Sequence, residues 1–227
     1  MKYIIAYSRN QCKHLISRLN KRLNAEFTGI NNPADLNIDF LKRISPRIIF
    51  FPHWSIRICS EIYENYECII FHMTDLPYGR GGSPLQNLIV RGKEKTVISA
   101  IRCVERMDAG PVYTKKPLSL MGSATEIFLR MDRVIEDMIV EILETNPDPA
   151  PQKGETVVFN RRKPEDGNWR DAKTLNEVYD YIRMLDAEGY PPAYVYIGEY
   201  KLEFSGANKE GNSILAKVKI TQEKNNE

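Results

Sequence analysis

Apolar positions along the 227-residue chain follow two rhythms. Residues 3–7, 47–51 (RIIFF) and 68–72 (CIIFH) are short, nearly unbroken apolar runs rich in β-branched and aromatic side chains. Such runs predict strands of a parallel sheet covered on both faces. Elsewhere the apolar residues recur three and four apart. Leu15, Ile16, Leu19 and Leu23 predict a helix over 12–24, and residues 61–66 a short helical turn. Ile127, Phe128, Met131, Val134, Ile135, Met138, Ile139, Ile142 and Leu143 predict a long amphipathic helix that ends before Pro147.

Local signals punctuate this pattern. Ser83-Pro84 suits an N-cap followed by the first helical position, and Gly92 suits the end of that helix. Residues 96–104 alternate enough for a strand. Ser123 with Glu126, and Thr174 with Glu177, have the spacing of capping boxes. The segment NPDPAPQKG, residues 146–154, reads as a surface linker. It divides the chain into a core over 1–150 and a small subdomain over 151–227. In the latter a helix to about residue 186 precedes a hairpin, 193–197 and 200–205 around Gly198-Glu199, and a strand over 213–220. The polar tail 222–227 reads as frayed. The fold class is therefore α/β, a Rossmann-like core with a mostly parallel sheet, plus a small C-terminal α+β subdomain.

Composition narrows the function classes. The 32 basic and 30 acidic residues leave a net charge of +2, with no basic run that would grip RNA or DNA, so no nucleic-acid partner is expected. The cysteines, Cys12, Cys59, Cys68 and Cys103, form no C-x-x-C pair and no metal site is indicated; they read as buried free thiols of a reducing compartment. The N-terminal apolar run is too short for a signal peptide, and no stretch approaches the ~20 apolar residues of a membrane span. A cytoplasmic protein without membrane partners is the expectation. An exposed apolar face on the C-terminal hairpin could support a homodimer.

In open α/β sheets ligands bind beyond the carboxyl ends of the strands. His53 follows one predicted strand and His72 closes another. A histidine there can act as acid, base or oxyanion donor, or can be a hydrogen-bonded structural residue. After His72 comes a long polar loop, Asp75-Leu76-Pro77-Tyr78-Gly79-Arg80-Gly81-Gly82, that runs into a helix N-terminus. Past the strand over 96–104, Met107-Asp108-Ala109-Gly110-Pro111 offers either a turn-former or a carboxylate able to orient a histidine. There is no G-x-G-x-x-G after the first strand, which disfavours a nicotinamide cofactor.

The segments FHMTDLPYGRGGSPLQNLIVRG and TVISAIRCVERMDAGPVY resemble the formyltetrahydrofolate-dependent formyltransferase family, which includes methionyl-tRNA, glycinamide ribonucleotide and sugar N-formyltransferases. His72, Leu76-Pro77, Arg80-Gly81, Pro84, Gly92, Asp108 and Gly110 match the family pattern in order. The run FNRRKPEDGN and Ile182-Arg183 extend the likeness into the C-terminal part. The resemblance implies 10-formyltetrahydrofolate as formyl donor and a primary amine as acceptor. It places His72 and Asp108 in catalysis, Phe51, Pro52, Arg80, Gly81 and Asp108 against the folate, and Thr74, Tyr78, Arg161 and Arg162 toward the acceptor. Compact size and balanced charge point within the family to a nucleotide-linked amino sugar, of the 4-amino-4,6-dideoxy type used for surface glycans or nonulosonic acids. Methionyl-tRNA formylation, formyl-folate hydrolysis, and a degenerate protein that binds folate or sugar nucleotide without turnover are the alternatives.

One departure matters. The family's asparagine, two residues before the histidine, is Ile70 here. Residues i and i+2 of a strand face the same way, so this position should share the histidine's task. Isoleucine has no donor, and losing one oxyanion donor costs on the order of 2.7–4 kcal/mol in other enzymes. His53 is the candidate to replace it, with Thr74 behind it.

Overall fold

The computed structural model describes residues 1–10 and 12–223. These form two compact units, the first built from Met1–Gly81, Thr96–Leu118 and Leu129–Val158, the second from Gly82–Lys95, Ser119–Phe128 and the chain from Phe159 onward.

The first unit is organised by a six-stranded sheet. Its strands are β1 (Lys2–Ala6), β2 (Glu26–Ile30), β3 (Ile48–Phe51), β4 (Glu67–His72), β6 (Lys95–Arg102) and β7 (Val112–Ser119), in the order β2-β1-β3-β4-β6-β7. The remaining early strand, β5 (Tyr78–Gly81), forms a two-stranded ladder with β8 (Val157–Phe159). β1 to β4 are mutually parallel, and β6 runs antiparallel to β4. The sheet is thus α/β and mostly parallel, as the unbroken apolar runs predict. One of its faces carries Ile4, Ala6, Ile30, Ile49, Phe51 and Cys68, packed with Leu41 of α2 (Ile38–Ile44) and Ile62 of α3 (Ser60–Asn65). By strand alternation the intervening residues turn to the opposite face. There Tyr3 stacks on Phe27, their centroids 5.1 Å apart, and Phe50 on Phe71 at 6.2 Å. Leu15 and Leu19 of α1 (Cys12–Arg22) are fully buried.

The strands β2 and β7 and the helix α2 have no counterpart in the apolar pattern. β2 reads EFTGI, and its Gly29 is closely approached by α1: a Cβ there would stand 2.6 Å from Ile16 Cδ1, so that side chain would have to shift. α2 spans only seven residues, too short for periodicity to show, and is marked by Asn37, whose side chain accepts the Phe40 N–H. β7 reads VYTKKPLS, with two lysines and a proline, a composition suited to the edge it occupies.

The second unit contains α4 (Pro84–Ile89), α6 (Leu175–Leu185) and a three-stranded antiparallel sheet, β9 (Ala193–Ile197), β10 (Tyr200–Glu210) and β11 (Ser213–Gln222). The hairpin turn is Gly198-Glu199, with Gly198 at φ 58°. Thr174 caps α6 by accepting the Glu177 N–H. Arg183 is buried; its guanidinium donates to the Gly122 carbonyl at 2.9 Å and pairs with Asp180 at 2.6 Å, so it is a structural strut. Ile197, Tyr200, Val218 and Ile220 are exposed on this sheet.

α5 (Ala124–Thr145) begins at the predicted capping box, with Ser123 N–H donating to the Glu126 carboxylate and Glu126 N–H to Ser123 Oγ. Three local expectations are corrected. Ser83 is the N-cap residue of α4 and Pro84 its first residue, as expected, but Ser83 sits at φ 48° and its side chain makes no capping bond; its Oγ accepts the Arg162 N–H instead. Cys59 is exposed, because it lies in the N-cap position of α3 outside the buried runs, while Cys12, Cys68 and Cys103 are buried. Gln222 belongs to β11 and the Glu223 N–H donates to the Glu199 carbonyl, so they are paired; residues 224–227 lie outside the described residues.

Candidate active site

His72 closes β4, where its ring is 8% exposed. Its Nε2 lies 2.8 Å from the Gly79 carbonyl oxygen. A carbonyl can only accept, so Nε2 carries the hydrogen. Thr74, wholly buried, donates its hydroxyl to the same carbonyl at 3.3 Å, and its own carbonyl accepts Ser99 Oγ at 2.7 Å. The loop after β4 is thereby folded back over the histidine. Nδ1 faces Asp108 Oδ1 at 3.6 Å, beyond a direct hydrogen bond, and the two attract as an ion pair only when the ring carries a hydrogen on both nitrogens.

Asp108 reaches this place through a tight turn after β6. It adopts φ 51°, and Gly110 presses on the strand so closely that a Cβ would stand 1.8 Å from the Arg102 carbonyl oxygen. The Arg102 N–H donates to the Pro111 carbonyl at 2.9 Å and fixes the turn against β6. The second carboxylate oxygen, Oδ2, accepts the Gly81 N–H at 2.8 Å. His72 and Thr74 are thus bonded to one carbonyl of β5 and Asp108 to the Gly81 amide of the same strand, and the 3.6 Å approach brings the two sets together at the carboxyl end of β4. Burial first, and then the Asp108 charge, push the neighbouring Cys103 thiol up to about 11.

Arg80 lies between Gly79 and Gly81 on β5. Its Nε and Nη2 both donate to Gln152 Oε1, at 3.1 and 2.6 Å. Gln152 Nε2 in turn donates to the carbonyls of Asp108 and Gly110, each at 2.8 Å. Gln152 was legible only as part of a proline-rich linker. That stretch is tied down, since Ala150 and Val112 exchange backbone hydrogen bonds at 2.7 and 2.9 Å.

His53 is paired with α5. It follows β3 at φ 50°, and its Nε2 is 2.8 Å from Asp132 Oδ1 of α5, both side chains almost fully buried. The sequence did carry a signal for Asp132: it lies four residues after Phe128 and three before Ile135, so a charge occupies the buried stripe of the helix. Cys12 brings a third ligand atom within 4.8 Å of this pair. The direct His53–Asp132 contact is shorter than the roughly 3.3 Å that separates two ligand atoms on one tetrahedral zinc. It is a hydrogen bond rather than a vacant ligand pair.

The Phe51 side chain is fully buried and packs edge-on against Trp54, and Pro52 is buried beside it, so neither side chain offers surface to a ligand. Tyr78 is half-buried, and its N–H closes a turn onto the Asp75 carbonyl. Arg161 and Arg162 belong to the second unit. There Arg161 packs against Gly82, and the Arg162 guanidinium donates to the Asp166 carbonyl and lies 5.9 Å from the Tyr181 ring centroid. Ile70 turns to the same face of β4 as His72 and packs against the apolar cluster, so no donor comes from that position.

A protonated imidazole nitrogen and a carboxylate held by a backbone amide, beside a half-buried arginine, suit a reaction in which negative charge develops on an oxygen and a proton moves. Comparison with known proteins decides the family. Residues 164–221 match the model of the methionyl-tRNA formyltransferase C-terminal domain. A methionyl-tRNA formyltransferase of Bacillus cytotoxicus is 32% identical over 162 residues, 66% of this chain and 50% of that protein. A solved structure, the methionyl-tRNA formyltransferase from Clostridium thermocellum, superposes with a TM-score of 0.94 at 46% identity, covering 98% of this chain and 99% of that one. The chain belongs to the formyltransferase family.

Two more distant structures share this formyltransferase fold. HypX from Aquifex aeolicus, solved in complex with tetrahydrofolic acid, gives a TM-score of 0.75 at 18% identity over 91% of this chain and 38% of that one. A sugar N-formyltransferase from a Shewanella species gives 0.66 at 16%, over 95% and 96%. The chain spans about half the length of the curated relatives it matches. Relatives named for tRNA formylation weigh against the expectation that no nucleic acid is involved. Among the described residues no helix is long and apolar enough to cross a membrane.

Proposed function

We propose that this formyltransferase moves a formyl group from 10-formyltetrahydrofolate to a primary amine, with residues 1–150 as the catalytic core and 151–227 as a small appended subdomain. The observation that carries the reading is the His72–Asp108 arrangement, in which one carboxylate oxygen is anchored by Gly81 and the other faces Nδ1 at 3.6 Å. With Nε2–H held by the Gly79 carbonyl, His72 would stabilise the charge that develops on the formyl oxygen as the amine attacks through Nδ1, when that nitrogen is also protonated. Asp108 would hold His72 and, through water, take the proton the amine gives up, while the folate nitrogen regains one as it leaves. Arg80 and Gly81 would flank the folate, with the backbone at Phe51-Pro52 lining its other side.

The relatives support the amine of a methionyl-tRNA as the acceptor. The near-neutral charge of +2 supports a second reading, the amine of a nucleotide-linked 4-amino-4,6-dideoxy sugar. Calorimetric titration with 5-formyltetrahydrofolate, a stable isomer of the donor, tests the first half of the proposal. Turnover with methionyl-tRNA, nucleotide amino sugars or water alone then tests the acceptor. Absence of folate binding by folded protein would sink the donor assignment. Formate release without any amine would make the protein a hydrolase.

A further inference from the structure

We infer that Gln152 is a positioning residue that couples Arg80 to Asp108 and keeps the arginine's charge available for an anionic group of the ligand; this rests on the formyl-transfer reading above. Gln152 spends its whole amide on the site. Oε1 takes two N–H groups of Arg80, and Nε2 gives its two hydrogens to the carbonyls of Asp108 and Gly110. One planar group thus sets the guanidinium on β5 and the turn that carries the carboxylate. A shift in either must be felt by the other.

The choice of a neutral amide has an electrostatic consequence. Gln152 satisfies the Nε–Nη2 edge of Arg80 without cancelling its charge. Among the described residues no carboxylate forms an ion pair with Arg80. The Nη1–Nη2 edge is left for a two-oxygen anion, a carboxylate or a phosphate, with which a guanidinium pairs in bidentate fashion. Arg80 is also flanked by the two backbone groups that touch the pair: Gly79 accepts from His72 and Gly81 donates to Asp108. An anion drawn to Arg80 would therefore seat its ligand beside the reacting groups.

Two substitutions separate the two halves of this role. Gln152→Glu keeps an acceptor for Arg80 but neutralises it, and sets a carboxylate against two carbonyls. Gln152→Leu removes all four bonds at similar bulk. For Gln152→Glu the dissociation constant of 5-formyltetrahydrofolate or of inorganic phosphate, by calorimetry, is expected to rise about tenfold or more. For Gln152→Leu, kcat is expected to fall about tenfold or more, with a smaller change in KM. A readout that needs no ligand is the Arg80 side-chain Nε–H signal in NMR, expected to be slowly exchanging in the parent and lost in Gln152→Leu. Folate binding by the parent protein tests the formyl-transfer reading separately. If both variants fold, keep the protected Arg80 signal and match the parent in phosphate and folate affinity, the assignment of Gln152 is wrong.

Discussion

Asp108 accepts the Gly81 N–H through Oδ2 at 2.8 Å, and this single bond aims its other oxygen at His72. Replacing Asp108 with asparagine leaves only one oxygen. If it keeps Gly81, an NH2 group faces Nδ1 and the charge is gone. Asp108→Asn is expected to lower kcat by about 100-fold or more, within the range that positioned acids and bases contribute, with little change in thermal midpoint. Steady-state formyl transfer beside a melting curve checks this. Near-parent turnover would remove the carboxylate from the chemistry.

The elements that place this site were legible where burial on both faces makes the apolar run continuous, as in β3, which His53 follows, and β4, which His72 closes. β7 and β2 were not, because both lie at the edges of the sheet, where lysine, proline, glutamate and threonine interrupt the apolar run. His72 and Asp108 could be named from the motif, but what joins them could not. Gly79 and Gly81 act through their backbone, which composition does not reveal, and Gln152 is 44 residues from Asp108 in sequence. His53 shows the converse: the chain position suggested chemistry, and the fold gives it a buried partner in Asp132.

Gly110 has no room for a side chain. With the Arg102 carbonyl oxygen 1.8 Å from an ideal Cβ, Gly110→Ala must push the 107–111 turn off β6 and carry Asp108 with it. The backbone cannot yield as a flexible side chain would. A loss of about 3 kcal/mol or more in urea unfolding is expected, at the upper end of overpacking costs. A variant as stable as the parent would show that the turn is looser than its geometry implies.

The His53–Asp132 pair is almost sealed from water, at 5% and 6% side-chain exposure. Removing Asp132 takes away the 2.8 Å partner of His53 Nε2 in a site that solvent hardly reaches. Asp132→Ala is therefore expected to destabilise by about 1–3 kcal/mol, the cost seen when a buried polar group loses its hydrogen-bond partner. Asp132→Asn, which retains an acceptor, should cost less. Equal stabilities for the two variants would mean that the hydrogen bond contributes nothing.

Thiol reactivity should distinguish Cys59 from the rest. Cys59 is exposed, whereas burial pushes the Cys12, Cys68 and Cys103 thiols up, Cys103 to about 11. A raised thiol keeps its proton as pH climbs through its ordinary range, so none of the three supplies thiolate near neutrality. Titration of the folded protein with an aromatic disulfide at neutral pH should release one equivalent rapidly, and denaturant should release the other three. Rapid release of more than one would place a second cysteine at the surface.

Ile70 tests what the departure from the family pattern has done. It lies opposite Phe51 on one neighbouring strand and Ile101 on the other, shares the face of Cys68 and His72, and packs against the apolar cluster. Asparagine there would regain a donor beside the histidine, because i and i+2 point together. It would also set an amide where isoleucine had made apolar contacts. Ile70→Asn is expected to lower stability by about 1–3 kcal/mol, seen as a lower urea midpoint at unchanged slope. Turnover per folded molecule is expected to rise, since a second donor would then reach the developing charge. Unchanged turnover in a variant that still folds would locate the missing donor elsewhere. Thr74 would then be the residue to substitute next, because its hydroxyl already shares the Gly79 carbonyl with His72.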